Sequence, residues 1–401
     1  MDPKDVRGAS ARAFRASRRL LRVLARPADS VVAEDGVVLQ AYRGYGSAEE
    51  VFLIGRVYRQ PAWLSGASGR FHKGIWDDIG RLLFRRGVPG ATVRARFGGS
   101  ETVAATDRDG YFRVHLHPTL PPHRDRTWHR MGLELEHPPV RLEAEGELFV
   151  PPGGGRLLVI SDIDDTILKT GVANKARMLW RLFLDGAESR PAFPGVAALL
   201  QALYHGAAGR EHNPLLYVSR SPWTLYEVLD AFFRAQAVPG GPLLFLREWG
   251  LRPWRPFPRR ATDHKHVLIR HMVELYRDLP VLLIGDSVQD DPEIYAQIAR
   301  EHPGRVRAIY VRGVDPPPAR VRAIEALAAE AAGVGTSLLL APDSLAMAEH
   351  AAAHGMIAPE AVAAIAAERD AQAATGAREK AAEPGGSALT GLVEPADGSR
   401  S

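Results

Sequence analysis

Residues 157–172 read LLVISDIDDTILKTGV, and no other segment restricts the fold of this chain as strongly. Four apolar residues, Leu157 to Ile160, run into three carboxylates, Asp162, Asp164 and Asp165, followed by Thr166. A run of that kind is the pattern of a buried parallel strand. Carboxylates crowded at its C-terminal end repel one another unless a cation sits among them. Asp162, Asp164 and Thr166 alternate, so an extended segment carries them on one side. The pattern favours an aspartate nucleophile, a neighbouring acid/base and a divalent metal.

The rest of the chain must supply the sheet for that strand. At 401 residues it is long enough for two domains with a core each. Pro151-Pro152-Gly153-Gly154-Gly155 is a clear break. Beyond it, apolar strands at 157–161, 215–219, 243–247, 281–285, 306–311 and 337–341 alternate with helical stretches such as 195–204, 223–235 and 264–278. That alternation predicts a parallel α/β sheet. Before the break, VFLIGRVY (51–58), ATVRARF (91–97), TVAAT (102–106), YFRVHL (111–116) and GLELE (132–136) read as short strands. Asp109-Gly110 and Val88-Pro89-Gly90-Ala91 are turn signals between them. Residues 74–86 read as one inserted amphipathic helix. The expected organisation is a basic amphipathic arm over 1–30, a β-rich, sandwich-like domain over 31–150, an α/β domain over 156–372 with an alanine-rich helix from Pro359 to about 374, and a disordered tail over 375–401.

The charge balance is local. Residues 1–26 hold eight Lys/Arg against two Asp, whereas the remainder holds 43 basic and 45 acidic side chains. The net charge of +4 therefore belongs to the arm, and no nucleic-acid partner is expected. The arm, a helix over 4–25, either lies on an anionic membrane surface or is solvated; the solvated reading is preferred. Ser17-Arg18-Arg19-Leu20-Leu21 has the outline of a twin-arginine signal, but Arg22 and Arg26 interrupt the apolar stretch that such a signal needs. The chain has no cysteine, which removes thiolate chemistry and suits a reducing cytoplasm.

Ligands of open parallel sheets bind beyond the carboxyl ends of the strands. The first strand delivers Asp162, Asp164 and Thr166, the second Ser219 and then Arg220, and the fourth Asp286, Ser287, Asp290 and Asp291. Asp263-His264-Lys265-His266 opens a helix just before that fourth strand, and Lys265 is one of only six lysines. DxDxT, a Ser after an apolar strand, a Lys opening a helix and GDxxxDD resemble, in order and strand context, the four motifs of haloacid-dehalogenase-type phosphohydrolases. More narrowly, SDIDDTILKTGV, YVSRSPW, HK and LIGDSVQDDPEIY resemble the catalytic domain of the actin-patch-associated phosphatidate phosphatase family over about residues 156–312, with lipin-type lipid phosphatases more distant. The segment AYRGYGS…GRVY…VPGATVRARF…TDRDGYF resembles the β domain that accompanies it in bacterial members, and GVPGATV…ATDRDGYFRV resembles a transthyretin-like sandwich.

The resemblance implies a haloacid-dehalogenase-like, Rossmannoid sheet and a defined set of roles. Asp162 would attack phosphorus and form an aspartyl-phosphate, and Asp164 would act as acid and then base. Mg²⁺ would be held by Asp162, the Asp164 carbonyl and Asp286, supported by a further acid. Asp290 fits a GDxxxD spacing; Asp291 fits the narrower family's DPEIY and is preferred. Thr166, Ser219, Arg220 and Lys265 would orient the nucleophile or hold phosphoryl oxygens. Asp165 reads as a supporting or capping residue, and His264 and His266 as helix-start surface residues.

About 25 residues separate Thr166 from Pro194, and about 45 separate Ser219 from Lys265, so little or no cap domain is expected. A nearly uncapped site suits a large phosphomonoester. Phosphatidate, giving diacylglycerol and phosphate, is the substrate that the resemblance implies. Another phosphorylated substrate, or binding of a phospho-ligand without catalysis, are the alternatives. The expected location is the cytoplasm, with peripheral membrane contact left open. NKARMLWRLFL (174–184) and REWGLRPWRPFPRR (247–260) read equally as interfacial or as ordinary packed and looped segments.

Overall fold

A computed structural model of the chain describes residues 30–32, 36–59, 85–164, 166–167, 192–223, 226–247 and 261–382. The expected helix over 4–25, the segment 174–184, residues 248–260 and the tail beyond 382 lie outside them. So does the expected inserted helix as far as residue 84; Arg86, its expected last residue, belongs instead to a two-residue strand with Gly87.

The first part is all strand: β1 (Ser30–Val32), β2 (Val37–Ala41), β3 (Gly44–Gly46), β4 (Val51–Arg59), β5 (Arg86–Gly87), β6 (Thr92–Phe97), β7 (Ser100–Ala105), β8 (Tyr111–Leu116), β9 (Trp128–His137) and β10 (Val140–Phe149). They form one ten-stranded hydrogen-bonded sheet rather than two separate ones. Strand β3 pairs parallel with β10 and antiparallel with β4, and so joins two halves that share a core of Leu39, Leu53, Val93, Phe112, Leu133 and Leu148. The strand-rich expectation is met, with the two halves connected in one branched sheet. The turn before β8 forms as its sequence dictates. Asp107 Oδ1 accepts from the Asp109 and Tyr111 amides, and Gly110 takes φ 83°, a conformation that a side chain would strain.

The second part is a six-stranded, all-parallel sheet. Its strands are β11 (Leu158–Asp162), β12 (Leu215–Pro222), β13 (Leu243–Arg247), β14 (Val281–Asp286), β15 (Val306–Arg312) and β16 (Ser337–Ala341). The helices are α1 (Val196–His205), α2 (Tyr226–Ala235), α3 (Ala261–Leu275), α4 (Asp291–Glu301), α5 (Pro318–Ala332), α6 (Ser344–Ala353) and α7 (Ala361–Ala382). Alternate strand residues feed two cores. Val159, Tyr217, Leu282 and Tyr310 face α1, α2 and α6, while Ile160, Val218, Leu283 and Ile309 face α3, α4 and α5. Both faces are covered, which is why these strands read as continuous apolar runs. Helix α7 continues to Ala382, past the expected end near 374, through an alanine-rich stretch of high helix propensity.

The strand order is β13-β12-β11-β14-β15-β16. Succession runs one way from β11 and the other way from β14, so the crevice between these two is the switch point where such sheets bind ligands. Asp162 ends β11 and Asp286 ends β14.

The two parts are in close contact. Tyr42 stacks on Trp223 with ring centroids 4.7 Å apart. The Arg85 guanidinium forks onto both Glu227 oxygens at 3.2 and 3.1 Å, Gln40 Nε2 donates to Glu227 at 2.6 Å, and Arg43 donates to Asp230 at 2.5 Å. Glu227 and Asp230 both lie on α2, so the strand-rich part braces the helix that follows β12. No helix among the described residues is long and apolar enough to cross a membrane.

Candidate active site

Four fully buried charged side chains meet at the switch point: Asp162, Lys265, Asp286 and Asp291. Lysine and aspartate are almost never buried unless paired. Lys265 lies on α3 with Ile269, Met272 and Tyr276 following at helical spacing, and those three pack into the core facing the sheet. The helix therefore directs Lys265 inward with its apolar face. Its Nζ donates to Asp162 Oδ1 at 2.6 Å and, by a shorter contact, to Asp291 Oδ1. The ammonium also sits 5.6 Å from the centre of the Tyr295 ring.

Asp291 reaches the site from the first turn of α4, while Asp290 occupies the helix N-cap and is exposed. Of the two candidate acids, Asp291 is the one brought to Asp162 and Asp286. Its carboxylate lies against the backbone of β14, where a Cβ on Gly285 would come within 2.3 Å of Asp291 Oδ2. Glycine is required there by close approach. Asp291 Oδ2 also accepts from the Asp286 amide at 3.4 Å, and the Tyr295 hydroxyl lies 3.5 Å from it.

Asp286 is held by the loop that it begins. Its Oδ1 accepts from the Val288 and Gln289 amides at 2.7 and 2.8 Å. Gln289 Nε2 donates to Asp286 Oδ2 at 2.7 Å and to the Asp164 carbonyl at 3.3 Å, tying β14 to the turn after β11. Asp164 is buried, with its Oδ2 3.4 Å from Ser219 Oγ at the end of β12. Thr166 is buried too, and its carbonyl accepts from Arg312 Nε at 3.1 Å. Seven expected site residues, Asp162, Asp164, Thr166, Ser219, Lys265, Asp286 and Asp291, are thus brought to one end of the sheet. Asp165 and the side chains of Arg220 and His264 lie outside the described residues. His266 is not part of the site and pairs with Glu301 on α4 at 2.9 Å.

Sequence reasoning passed over Gln289, Tyr295 and Arg312. The first lies inside the GDSVQDD loop, the second inside an apolar helical stripe, and Arg312 was signalled only as a lone charge ending an apolar strand. Arg312 stacks on Phe193 at 4.5 Å and bonds to Ser344 at 2.9 Å, and burial lowers its guanidinium to about 10.

The electrostatics are those of a site short of positive charge. Burial pushes the Asp162 carboxyl well above its usual range; Lys265 opposes this, and the neighbouring carboxylates add to it. Burial, then Asp291, pushes Asp286 up to about 6. Burial works against the Lys265 ammonium, yet Asp162 and Asp291 outweigh it and hold the amine above its ordinary value. Carboxylate oxygens of Asp162, Asp286 and Asp291 all lie within 4.8 Å of one another. Asp162 Oδ2 is buried with no hydrogen-bond partner. A buried carboxylate oxygen without a donor is costly, and a hard divalent cation, which takes oxygen ligands, fits this donor set.

Residues 157–313 match the family described as phosphatidate phosphatase APP1, catalytic domain. The chain is 30% identical over 168 residues to phosphatidate phosphatase APP1 of Saccharomyces cerevisiae, covering 41% of this chain and 27% of that protein. It is 28% identical over 156 residues to an uncharacterised protein of Schizosaccharomyces pombe, covering 39% of this chain and 25% of the other. The chain thus spans about a quarter of the length of the curated relatives that it matches. Among solved structures, beta-glucuronidase 3 of Bacteroides uniformis superposes with a TM-score of 0.23 at 11% identity over 76% of this chain and 38% of its own, too distant to inform fold or function. The resemblance read from the four motifs is matched, in its narrower form, by the catalytic-domain family over the same stretch of chain.

Proposed function

We propose that this chain is a Mg²⁺-dependent phosphatidate phosphatase with a haloacid-dehalogenase-like catalytic domain, converting phosphatidate and water to diacylglycerol and phosphate through an aspartyl-phosphate on Asp162. The observation that carries this reading is the buried arrangement of Asp162, Asp286 and Asp291 around Lys265 at the switch point. The catalytic-domain match supports the lipid as substrate.

Each residue then has a task. Lys265 fixes the Asp162 carboxylate and favours its ionised form, leaving it able to attack phosphorus as the bond to the leaving oxygen breaks. Asp164 gives that oxygen a proton and then removes one from the water that opens the acyl phosphate, so its own protonation state is restored after each turnover. Ser219, beside Asp164, donates a hydroxyl to a phosphoryl oxygen. Asp162, Asp286, Asp291 and the Asp164 carbonyl would hold Mg²⁺, whose charge offsets the carboxylates that would otherwise repel a phosphate dianion. Gln289 keeps the Asp164 carbonyl and Asp286 in register for that purpose. Tyr42, stacked on Trp223, steadies the segment after β12 from the strand-rich part. An attraction of about 4 kcal/mol between unit charges about 4 Å apart at an effective dielectric of about 20 is large enough for Lys265 to alter the rate by orders of magnitude.

For a lipid substrate in a bilayer, the proposed location is the cytoplasm with peripheral contact to the membrane surface. Phosphate release from phosphatidate vesicles, nitrophenyl phosphate and a phosphopeptide, each with Mg²⁺, tests the reading. Release from vesicles that Asp162→Asn abolishes supports it. Undiminished release by Asp162→Asn would sink the mechanism, and release from soluble esters alone would sink the lipid assignment.

A further inference from the structure

Strands β4 and β8 pair antiparallel, with Phe52 opposite His115 and Val51 opposite Leu116. Glu50 and His117, the next residues along, therefore face each other. Side chains alternate along a strand, so Glu50 and Phe52 share one side of the pair with His115 and His117. Val51, Leu53, Val114 and Leu116 point the other way, into the core. The solvent side thus carries a carboxylate and two imidazoles, with a carboxylate oxygen and one nitrogen from each ring within 4.8 Å of one another.

The His117 ring is held in ligating form. His117 Nδ1 lies 3.1 Å from the Glu49 carbonyl oxygen. A carbonyl only accepts, so Nδ1 carries the proton and the Nε2 lone pair is left for a ligand. His115 Nε2 lies 2.9 Å from Glu50 Oε2. Its ring stacks on Phe52 at 4.3 Å, and Phe52 is met edge-on by His271 at 5.1 Å. Glu50 follows a tight turn in which the Ser47 amide donates to the Glu50 carbonyl at 2.8 Å. All three side chains stand on or beside paired backbone, and both histidines are open to solvent, which leaves an entry path.

We propose that Glu50, His115 and His117 form a binding site for a divalent transition-metal ion of the zinc class, with a fourth position left to water. Two imidazoles and one carboxylate are a donor set for zinc and its neighbours, whereas Mg²⁺ prefers oxygen alone. The site is therefore selective against the ion assigned to the acidic cluster at Asp162. On binding, the ion takes the place of the hydrogen between His115 Nε2 and Glu50 Oε2; the neutral ring then carries its single proton on Nδ1 and ligates through Nε2.

The test is calorimetric titration of the full chain with ZnCl₂ after chelator treatment, in saturating Mg²⁺ so that the acidic cluster is filled. One saturable equivalent is expected, weakened by about tenfold or more in each of His117→Ala and Glu50→Gln. His117 is exposed, and among the described residues its ring is hydrogen-bonded to a backbone carbonyl and lies against the exposed His115 ring, so His117→Ala should keep the zinc-free melting temperature and the Mg²⁺-dependent phosphate release. Added ZnCl₂ should raise the melting temperature of the unaltered protein and not of that variant. No saturable binding, or binding of unchanged strength in both variants, overturns the proposal; the first leaves a His115–Glu50 hydrogen bond only, and the second puts the zinc on other histidines.

Discussion

Lys265 donates to Asp162 at 2.6 Å with neither side chain reached by solvent. One lysine is set against three buried carboxylates, so the acidic charge at the switch point exceeds what the protein itself supplies to balance it. Such a site is stabilised by a cation and is preorganised for an anionic group only when that cation is present. The same imbalance makes stability and activity respond to the same residues, and at Asp286 in opposite directions.

Replacing Lys265 with methionine keeps much of the volume and removes the charge. Breaking a buried pair from one side costs about 3–5 kcal/mol, because the remaining charge has no compensation. We expect Lys265→Met to lose stability of that order at neutral pH in Mg²⁺-free buffer, measured by urea unfolding. Phosphate release should fall by about a thousandfold, the scale seen when one preorganised donor is removed. Wild-type turnover by this variant would exclude Lys265 from the chemistry.

Asp286 gives a pH dependence with a definite sign. Its carboxyl titrates at about 6 in the folded protein, above the 3.8 of an unperturbed aspartate. Between those values the native state holds a proton that the unfolded chain has released, so the contribution of this group to stability falls as pH rises through that window. The loss at neutral pH is on the order of 3 kcal/mol. Asp286→Asn removes it. Its Oδ1 can still accept from the Val288 and Gln289 amides, and a rotated Gln289 amide can accept from the new NH₂. In Mg²⁺-free buffer the variant should match the wild type near pH 4 and exceed it above pH 7, while losing Mg²⁺-dependent phosphate release. A stability difference that does not change with pH would contradict the displaced titration.

Gly285→Ala tests the close approach of Asp291 to β14. The new methyl would lie 2.3 Å from Asp291 Oδ2 and 2.8 Å from the Tyr295 ring. Overpacking of this kind costs about 1–3 kcal/mol. Asp291 must move to relieve it, and Lys265 loses one of its two partners. Both melting temperature and phosphate release should fall, with a steeper requirement for Mg²⁺ if Asp291 supports the metal. An unaltered Mg²⁺ titration would remove Asp291 from that role.

How far the residues announced this arrangement depends on whether the signal was local. The strand ends were legible because an apolar run buried on both faces has a distinct pattern, and its last residue must sit at a sheet edge; Asp162, Ser219 and Asp286 follow from that alone. Asp291 over Asp290 was a preference until the start of α4 turned one inward and left the other at the cap. The burial of Lys265 was legible only in retrospect, since a lysine on an apolar helical stripe looks like an exception to the period. Gln289 and Arg312 act through contacts across about 125 and 146 residues of chain, and no local pattern encodes such partners. The same holds for the joining of the ten strands into one sheet, which depends on three-residue β3 pairing on both sides.

The fork between Arg85 and Glu227 makes the two parts of the molecule energetically coupled. Both side chains are nearly inaccessible, at 6% and 9% exposure, and Gln40 supplies Glu227 with a further donor. Removing either partner leaves the other desolvated, so Arg85→Met and Glu227→Gln should each destabilise the protein by about 3 kcal/mol. In the double variant the penalties should not add, and a double-mutant cycle in urea should give an interaction energy of about 1–3 kcal/mol. Strictly additive effects would mean that the contact does not link the two parts.

Asp164 is given two tasks, and a change of substrate separates them. A proton must reach the leaving oxygen of a lipid phosphate, because a glycerol alkoxide is a poor leaving group. Nitrophenolate leaves without that help. Asp164→Asn should therefore lose release from phosphatidate almost entirely, since both steps need the carboxyl. With nitrophenyl phosphate the first step survives while the water step does not. Rapid mixing should show a burst of about one nitrophenol per enzyme followed by a slow phase, the signature of an accumulating covalent intermediate. Hydroxylamine, which cleaves acyl phosphates, should raise the slow phase in this variant and leave the wild type unchanged. A variant that gives neither burst nor turnover on nitrophenyl phosphate, while still folded by circular dichroism, would place Asp164 in building the site rather than in proton transfer. A variant that turns over the lipid at wild-type rate would remove it from the mechanism altogether.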